Sequence, residues 1–166
     1  MPPITTDTAH TATRRPLPED GAQMWRMARD ARVLDVNAPY AYLLWCRDFA
    51  STSSVATVGG EPAGFVTGYL RPDRPDTVMV WQVAVDEAFR GRGLASRMLH
   101  DLVDSQSDRV THLETTITDD NAASIALFTG FAAARGALLL REPLFDPVLF
   151  PDGHDRELLY RMGPLT

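Results

Sequence analysis

Apolar and polar positions change period sharply around the middle of the chain. Val78 to Val85 is almost wholly apolar, the pattern of a strand buried on both faces. Downstream, Leu94, Met98, Leu99, Leu102 and Val103 recur at the spacing of an amphipathic helix running to about Ser105. Upstream, Arg14 to Leu17 predicts a short first strand. Pro18-Glu-Asp opens a helix to about Val33, since proline and acids suit a helix's first turn. After a break at Leu34 to Asn37, Ala38-Pro39 starts a second helix through Phe49. Ser53 to Val58 and Ala63 to Leu70 alternate about Gly59-Gly60, a hairpin signal, and Arg71 to Asp76 predicts a loop. Beyond the central helix, Thr111 to Thr118 is a strand. Asp119-Asp-Asn121 caps a helix with Ile125, Leu127 and Phe128 on its apolar side. A strand near Ala137 to Arg141, an irregular Pro-rich stretch from Glu142 to Asp155, and a closing strand Glu157 to Met162 complete the chain. The order is β-α-α-β-β-β-α-β-α-β-β, a mixed α/β fold. Residues 1–13 are expected to be a disordered tail and 14–166 a single domain.

The junction Phe89-Arg-Gly-Arg-Gly-Leu-Ala95 gives this order its first chemistry. Gly91 and Gly93 allow backbone N–H groups to turn inward where a strand feeds a helix, with Arg90 and Arg92 beside them. Converging amides at a helix N-terminus suit a pyrophosphate. An ordinary strand–helix turn is the plain alternative. The loop matches neither the dinucleotide fingerprint nor the P-loop, and no Lys exists to serve the latter.

Composition narrows the partners. With 166 residues and 45% hydrophobic content, one packed domain is expected. A net charge of −6 argues against a nucleic-acid-binding face. No stretch has the length of a membrane helix, and the polar N-terminus lacks a secretory apolar segment. The single Cys46, in an apolar helix, fits a packed thiol and a cytoplasmic setting. His10, His100, His112 and His154 show no ligand spacing, so no metal is expected.

Arg90, Gly93 and Ala95, in Arg-x-x-Gly-x-Ala, resemble the acetyl-CoA pyrophosphate loop of the Gcn5-related N-acetyltransferase (GNAT) superfamily. The element order resembles that fold too, over about residues 14 to 163. The resemblance implies a mixed sheet whose two central parallel strands splay to admit a thioester, with acetyl-CoA as cosubstrate. It assigns cofactor contacts to Arg90, Gly91, Arg92, Gly93, Leu94 and Ala95. Val83 would supply the backbone N–H for the oxyanion, and Val85 would pair with the pantetheine arm. Asn121 and Ser124 are candidate polar contacts to the same arm, although Asn121 also reads as a helix cap. Many members carry a tyrosine, proton donor to the leaving thiolate, where this chain has Phe128, which has no proton to give.

A narrower resemblance, to L-2,4-diaminobutyrate acetyltransferases, rests on Leu34 to Phe49, Gly64 to Tyr69, Val80 to Val85 and Thr118 to Ser124. It implies acetylation of the side-chain amine of diaminobutyrate, an early step towards the compatible solute ectoine, in a homodimer. A substrate with two amines and one carboxylate calls for acids or π-faces and for donors. The candidates are Asp35, Tyr40, Trp81, Gln82, Glu114, His154 and Glu157. Glu114, alternating away from Leu113, Thr115 and Ile117, is expected to be the general base, its pKa raised by burial. Read alone, it is equally a carboxylate on an exposed strand face. Asp35 could instead cap a helix, Tyr40 and Trp81 could be core aromatics, and His154 an exposed loop residue. Strict alternation places Trp81 and Gln82 on opposite faces. Another amine substrate, or a CoA-binding regulatory domain without catalysis, are the competing readings.

Overall fold

The computed structural model describes residues 9–166. Seven strands form one sheet in the order β1-β2-β3-β4-β5-β7-β6. The strands are β1 (Thr11–Arg14), β2 (Ser54–Val58), β3 (Glu61–Arg71), β4 (Arg74–Val85), β5 (His112–Thr118), β6 (Leu138–Phe145) and β7 (Glu157–Gly163). Four helices cover it: α1 (Gly21–Ala31), α2 (Pro39–Asp48), α3 (Leu94–Asp104) and α4 (Ala122–Ala134). Helices α3 and α4 bury Met98, Leu99, Leu102, Phe128 and Phe131 against Val66, Val78, Val80 and Leu113 on one face. On the other, α1 and α2 bury Met24, Met27, Ala28, Tyr42 and Cys46 against Val55, Phe65 and Ala84. Met24, Met27 and Ala28 lie at the three-and-four spacing that turns one stripe of α1 to the sheet. The first turn of the chain is tied down by buried Asp20, which accepts from the Leu17 N–H at 2.7 Å and from Arg14 at 2.7 and 2.9 Å.

Two irregularities make the site. The parallel pairing of β4 with β5 spans only Thr77–Val80 against His112–Thr115. Beyond it, the edges of Trp81–Val85 and Thr116–Thr118 that face one another are unpaired, so the sheet opens into a gap. The second is a β-bulge. On β3, Thr67 stands opposite Gln82 and its neighbour Gly68 opposite Val80, so Trp81 is an extra residue on β4. The insertion resets the alternation, and Trp81 and Gln82 both meet α2. Trp81 packs on Trp45 at 4.6 Å between ring centroids, and the Gln82 Oε1 accepts from the Tyr42 hydroxyl at 3.0 Å. The expectation of opposite faces is thereby corrected.

Three boundaries also differ. The first strand is Thr11–Arg14, not Arg14 to Leu17, so part of the expected tail is ordered as an edge strand on β2. Thr13 donates to Asp101 at 2.5 Å and Arg97 to the Thr11 carbonyl at 3.2 Å, which pins this strand to α3. The rest of the tail expectation, residues 1–8, lies outside the described residues. The expected loop at Arg71 to Asp76 is a tight turn at Pro72-Asp73 joining two long strands. Finally, β6 continues to Phe145 through Pro143, which an edge strand tolerates because no ladder bond is lost on its open side.

Candidate active site

The turn after β4 is built to present backbone N–H groups. Asp86 accepts from the Ala88 N–H at 2.9 Å and closes a short turn over Glu87–Phe89. Gly91 and Gly93 then adopt φ of 77° and 74°, the left-handed region that glycine enters without cost. Gly93 is the N-cap of α3, so the loop's amides sit at the positive end of that helix. Arg90 donates from Nε to the Val85 carbonyl at 3.3 Å, and the Arg92 guanidinium lies 5.1 Å from the Phe89 ring centroid. Leu94 sends its side chain into the core and leaves the loop only its backbone, whereas Ala95 faces outward. From Arg90 a groove of about 370 Å³ runs past Ala95 and along Val83 and Val85 to Asn121 and Ser124. This path fits a pyrophosphate at one end and a pantetheine arm along the unpaired edge of β4. Asn121 is indeed a cap, accepting from the Ser124 N–H at 3.2 Å, and it lines the groove as well.

Where β4 and β5 part, a second, smaller cavity of about 140 Å³ opens on the other side of the gap. Asp35, Trp81, Gln82, Phe128, His154 and Glu157 are among its walls. His154 reaches across from the segment before β7, its Nε2 standing 3.1 Å from Asp35 Oδ2 and 3.5 Å from Glu157 Oε1. Its ring stacks on Phe150 at 4.2 Å, and its Nδ1 lies 2.6 Å from the Asp155 carbonyl. Donation to that carbonyl holds the imidazole above its ordinary pKa, with Asp35 and Glu157 adding to the effect. Burial pushes the Glu157 carboxyl up, against the pull of His154 and of the neighbouring Thr116 side chain, and its buried Oε2 makes no well-formed hydrogen bond. A carboxyl that holds its proton more tightly than usual, facing a cavity, is chemically suited to accept a proton from a ligand there.

Of the expected substrate residues, Asp35, Trp81, Gln82, His154 and Glu157 meet here. Asp35 is not a helix cap, since Ala38 holds that position. Gln82 contributes differently from expectation. Its Nε2 donates to the Asp35 carbonyl at 2.8 Å while its Oε1 accepts from Tyr42, so it fixes the α1–α2 loop over the cavity. Tyr40 does not line the cavity; it is 67% exposed on the first turn of α2.

Glu114 also departs from expectation. It is 2% exposed but lies in the paired part of β5, opposite Arg161, and does not line the cavity. Its Oε1 accepts from Arg161 at 2.6 Å and its Oε2 from Arg71 at 3.1 Å. With both oxygens held by guanidinium groups, the carboxylate is a buried member of an ion triad, its hydrogen-bonding capacity turned to Arg71 and Arg161 and not to the cavity. Cys46 is a packed thiol pushed up by burial to about 11, and Arg47 pairs with its neighbour Asp48 at 2.6 Å on the surface. Sequence reasoning missed Thr116 and Thr118, which line the cavity from the free edge of β5. Thr116's alternation with Glu114 was the available signal.

Comparison with known proteins agrees with this geometry. The model of the acetyltransferase (GNAT) family matches residues 21–131. The L-2,4-diaminobutyric acid acetyltransferase of Streptomyces coelicolor is 59% identical over 156 residues, covering 92% of each chain. That of Marinococcus halophilus is 44% identical over 92% of this chain and 89% of its own. Among solved structures, diaminobutyrate acetyltransferase EctA from Paenibacillus lautus, in complex with L-2,4-diaminobutyric acid and coenzyme A, superposes with a TM-score of 0.89. It is 35% identical, and the match covers 94% of this chain and 96% of that one. With a glycine turn feeding the N-terminus of α3, a splayed pair of central strands and relatives matched along nearly their whole length, the chain belongs to the acetyltransferase (GNAT) family.

Proposed function

We propose that the protein transfers an acetyl group from acetyl-CoA to the side-chain amine of L-2,4-diaminobutyrate, by direct attack in a ternary complex. The observation that carries this reading is the cavity at the gap. At about 140 Å³ it is smaller than pockets for drug-sized ligands, and two carboxylates and an imidazole face it. A small diamino acid, cationic at both amines, suits that lining. An extended peptide would need an open groove instead. The identity with diaminobutyrate acetyltransferases along the chain supports the same substrate.

The chemistry follows from the two cavities. Acetyl-CoA lies along β4 with its phosphates on the loop from Arg90 to Ala95. The substrate's ammonium enters between Asp35 and Glu157, and Glu157 takes its proton. The amine lone pair attacks the thioester carbonyl; the C–N bond forms, the C–S bond breaks, and the nitrogen, cationic after attack, sheds its second proton to water to become the amide. Oxyanion charge is received by the backbone N–H of Val83, on the unpaired edge of β4, where a fixed donor needs no reorganisation. His154, held above its ordinary pKa, sets the charge felt by Glu157. Gln82 and Tyr42 hold Asp35 in place.

The working unit is a homodimer in the cytoplasm, serving ectoine synthesis under osmotic stress. Supporting a dimer, edge strand β6 and the turn after it leave Leu138, Leu140, Val148 and Leu149 exposed, Val148 to 88%. Isolated apolar residues are ordinary on a surface, but this group is contiguous with an open strand edge. Light scattering of the purified chain reads the mass directly.

The functional test is release of CoA thiol from acetyl-CoA with L-2,4-diaminobutyrate, run beside ornithine, lysine, spermidine and a short peptide. Strong selectivity for diaminobutyrate is expected. Activity confined to another amine would overturn the substrate, and CoA binding without thiol release would point to a non-catalytic domain.

A further inference from the structure

The reaction must also accommodate the electron pair that leaves on sulfur, and no group considered so far does so. Phe128 lines the acceptor cavity but offers no proton. The sulfur has to lie where the cofactor groove and the acceptor cavity meet. Among the described residues, only Val33, Val83, Asn121 and Ser124 line both spaces. Val33 has only an apolar side chain to offer. Val83 faces the carbonyl side of the thioester. The Asn121 carboxamide oxygen accepts from the Ser124 N–H, which fixes the side chain against the first turn of α4 and leaves its NH2 a donor of set direction. Ser124, one turn before Phe128 on the same face of α4, offers a hydroxyl that can rotate towards the sulfur. Its hydroxyl has no hydrogen-bond partner among the described residues.

We propose that the Ser124 hydroxyl donates a hydrogen bond to the CoA sulfur as the C–S bond breaks. The proposal rests on the acetyl-transfer reading above and assigns one residue's task within it. The electron pair of the C–S bond goes to sulfur, and the serine keeps its proton while stabilising the thiolate. Sulfur then leaves as thiolate and takes a proton from water. A free thiol's pKa of about 8.5 makes this feasible near neutrality, and a directed donor lowers it further.

The test reads the thiol itself. The ultraviolet absorbance of the thiolate is titrated in the enzyme–CoA complex, with the desulfo-CoA complex subtracted, for the native protein, Ser124→Ala and Ser124→Thr. The expected result is a CoA thiol pKa lower when bound than free, raised again by Ser124→Ala and kept low by Ser124→Thr. In steady-state assays Ser124→Ala should lower kcat about 10- to 100-fold, the range for losing one hydrogen bond to a charged group, with the KM for acetyl-CoA within about twofold. A bound thiol pKa that does not respond to Ser124→Ala overturns the proposal, whether or not kcat falls, since a fall alone would then reflect local structure. Ser124→Thr covers the case in which the alanine variant fails to fold. Because the titration needs no acceptor amine, it stands apart from the substrate assay. A native enzyme silent on diaminobutyrate would sink the functional reading without deciding the serine's role.

Discussion

Replacing Glu114 with Gln separates two roles that the sequence left open. Gln keeps the shape of the side chain and one acceptor oxygen, but it removes the charge and turns an NH2 towards a guanidinium. Arg71 loses little, because Asp73 still holds it with two contacts of 2.9 Å. Arg161 loses more. Its 2.6 Å bond to Glu114 is its main anchor, and Thr77 at 3.5 Å is a poor substitute. Two charge-assisted bonds at about 1.5–3 kcal/mol each set an upper bound. The guanidinium ends keep some access to water, and Arg71 keeps a partner, which brings the cost to about 2–3 kcal/mol. For a chain of this size, that lowers Tm by about 4–12 °C. The assay is thermal unfolding beside kcat/KM for CoA release, measured well below the variant's Tm. The expected pattern is a lower Tm with kcat/KM within a few-fold of native. An unchanged Tm with kcat/KM down about 10²–10⁴-fold, the loss for a missing general base, would refute the triad argument and restore Glu114 as the base.

Glu157→Gln should lower kcat about 10²–10⁴-fold with little change in Tm, checked by the same pair of measurements. Burial raises the Glu157 pKa, so native kcat/KM should fall with decreasing pH along a limb above the usual carboxylate range. His154→Asn removes the cation that pulls this pKa down, and its pH–rate profile should show the limb moved to higher pH. His154 also has a linkage consequence. Its raised folded-state pKa contributes stability below the unfolded value, lost as pH rises through the folded one. The Tm deficit of His154→Asn should therefore be larger at about pH 5.5 than at about pH 8.5. Gly93→Ala meets no atom within 4 Å but is forced to keep φ of 74°. The strain, about 1–2 kcal/mol, should appear mainly as a raised KM for acetyl-CoA, read by initial rates against acetyl-CoA concentration.

The turn from Arg90 to Ala95 was legible because its signal is local: glycines at positive φ, placed between a strand and a helix, announce themselves within six residues. The α3 stripe from Leu94 to Val103 was legible for the same reason. The bulge at Trp81 was not. Val78 to Val85 is nearly all apolar, and one inserted residue leaves no mark in a run without alternation to break. Glu114 was placed on the correct face of β5, but its partners are fixed by register, Arg161 opposite it on β7 and Arg71 at the far end of β3. Nothing within five residues of Glu114 encodes either. Thr11-Ala-Thr13 reads as tail because its sheet contacts are all distant in sequence, and Pro143 disguises the outer half of an edge strand. Local signals carried the cofactor side of the site; the acceptor side depended on which strands lie together.

The short seam between β4 and β5 has a mechanical side. One slab of the molecule is β1 to β4 and the other is β5, β7 and β6, and the sheet joins them through only Thr77–Val80 and His112–Thr115. Above that seam the slabs are two jaws, and on the proposed reading a pantetheine arm laid along β4 would become the missing rung between them. Loading the cosubstrate would then splint the protein as well as deliver an acetyl group. Once the product amide and CoA have left, the seam, the helices packed over it, the Arg71–Glu114 pair and the His154–Asp35 contact still join the jaws, so the rung supplied by the cosubstrate is the one that would come and go with each turnover.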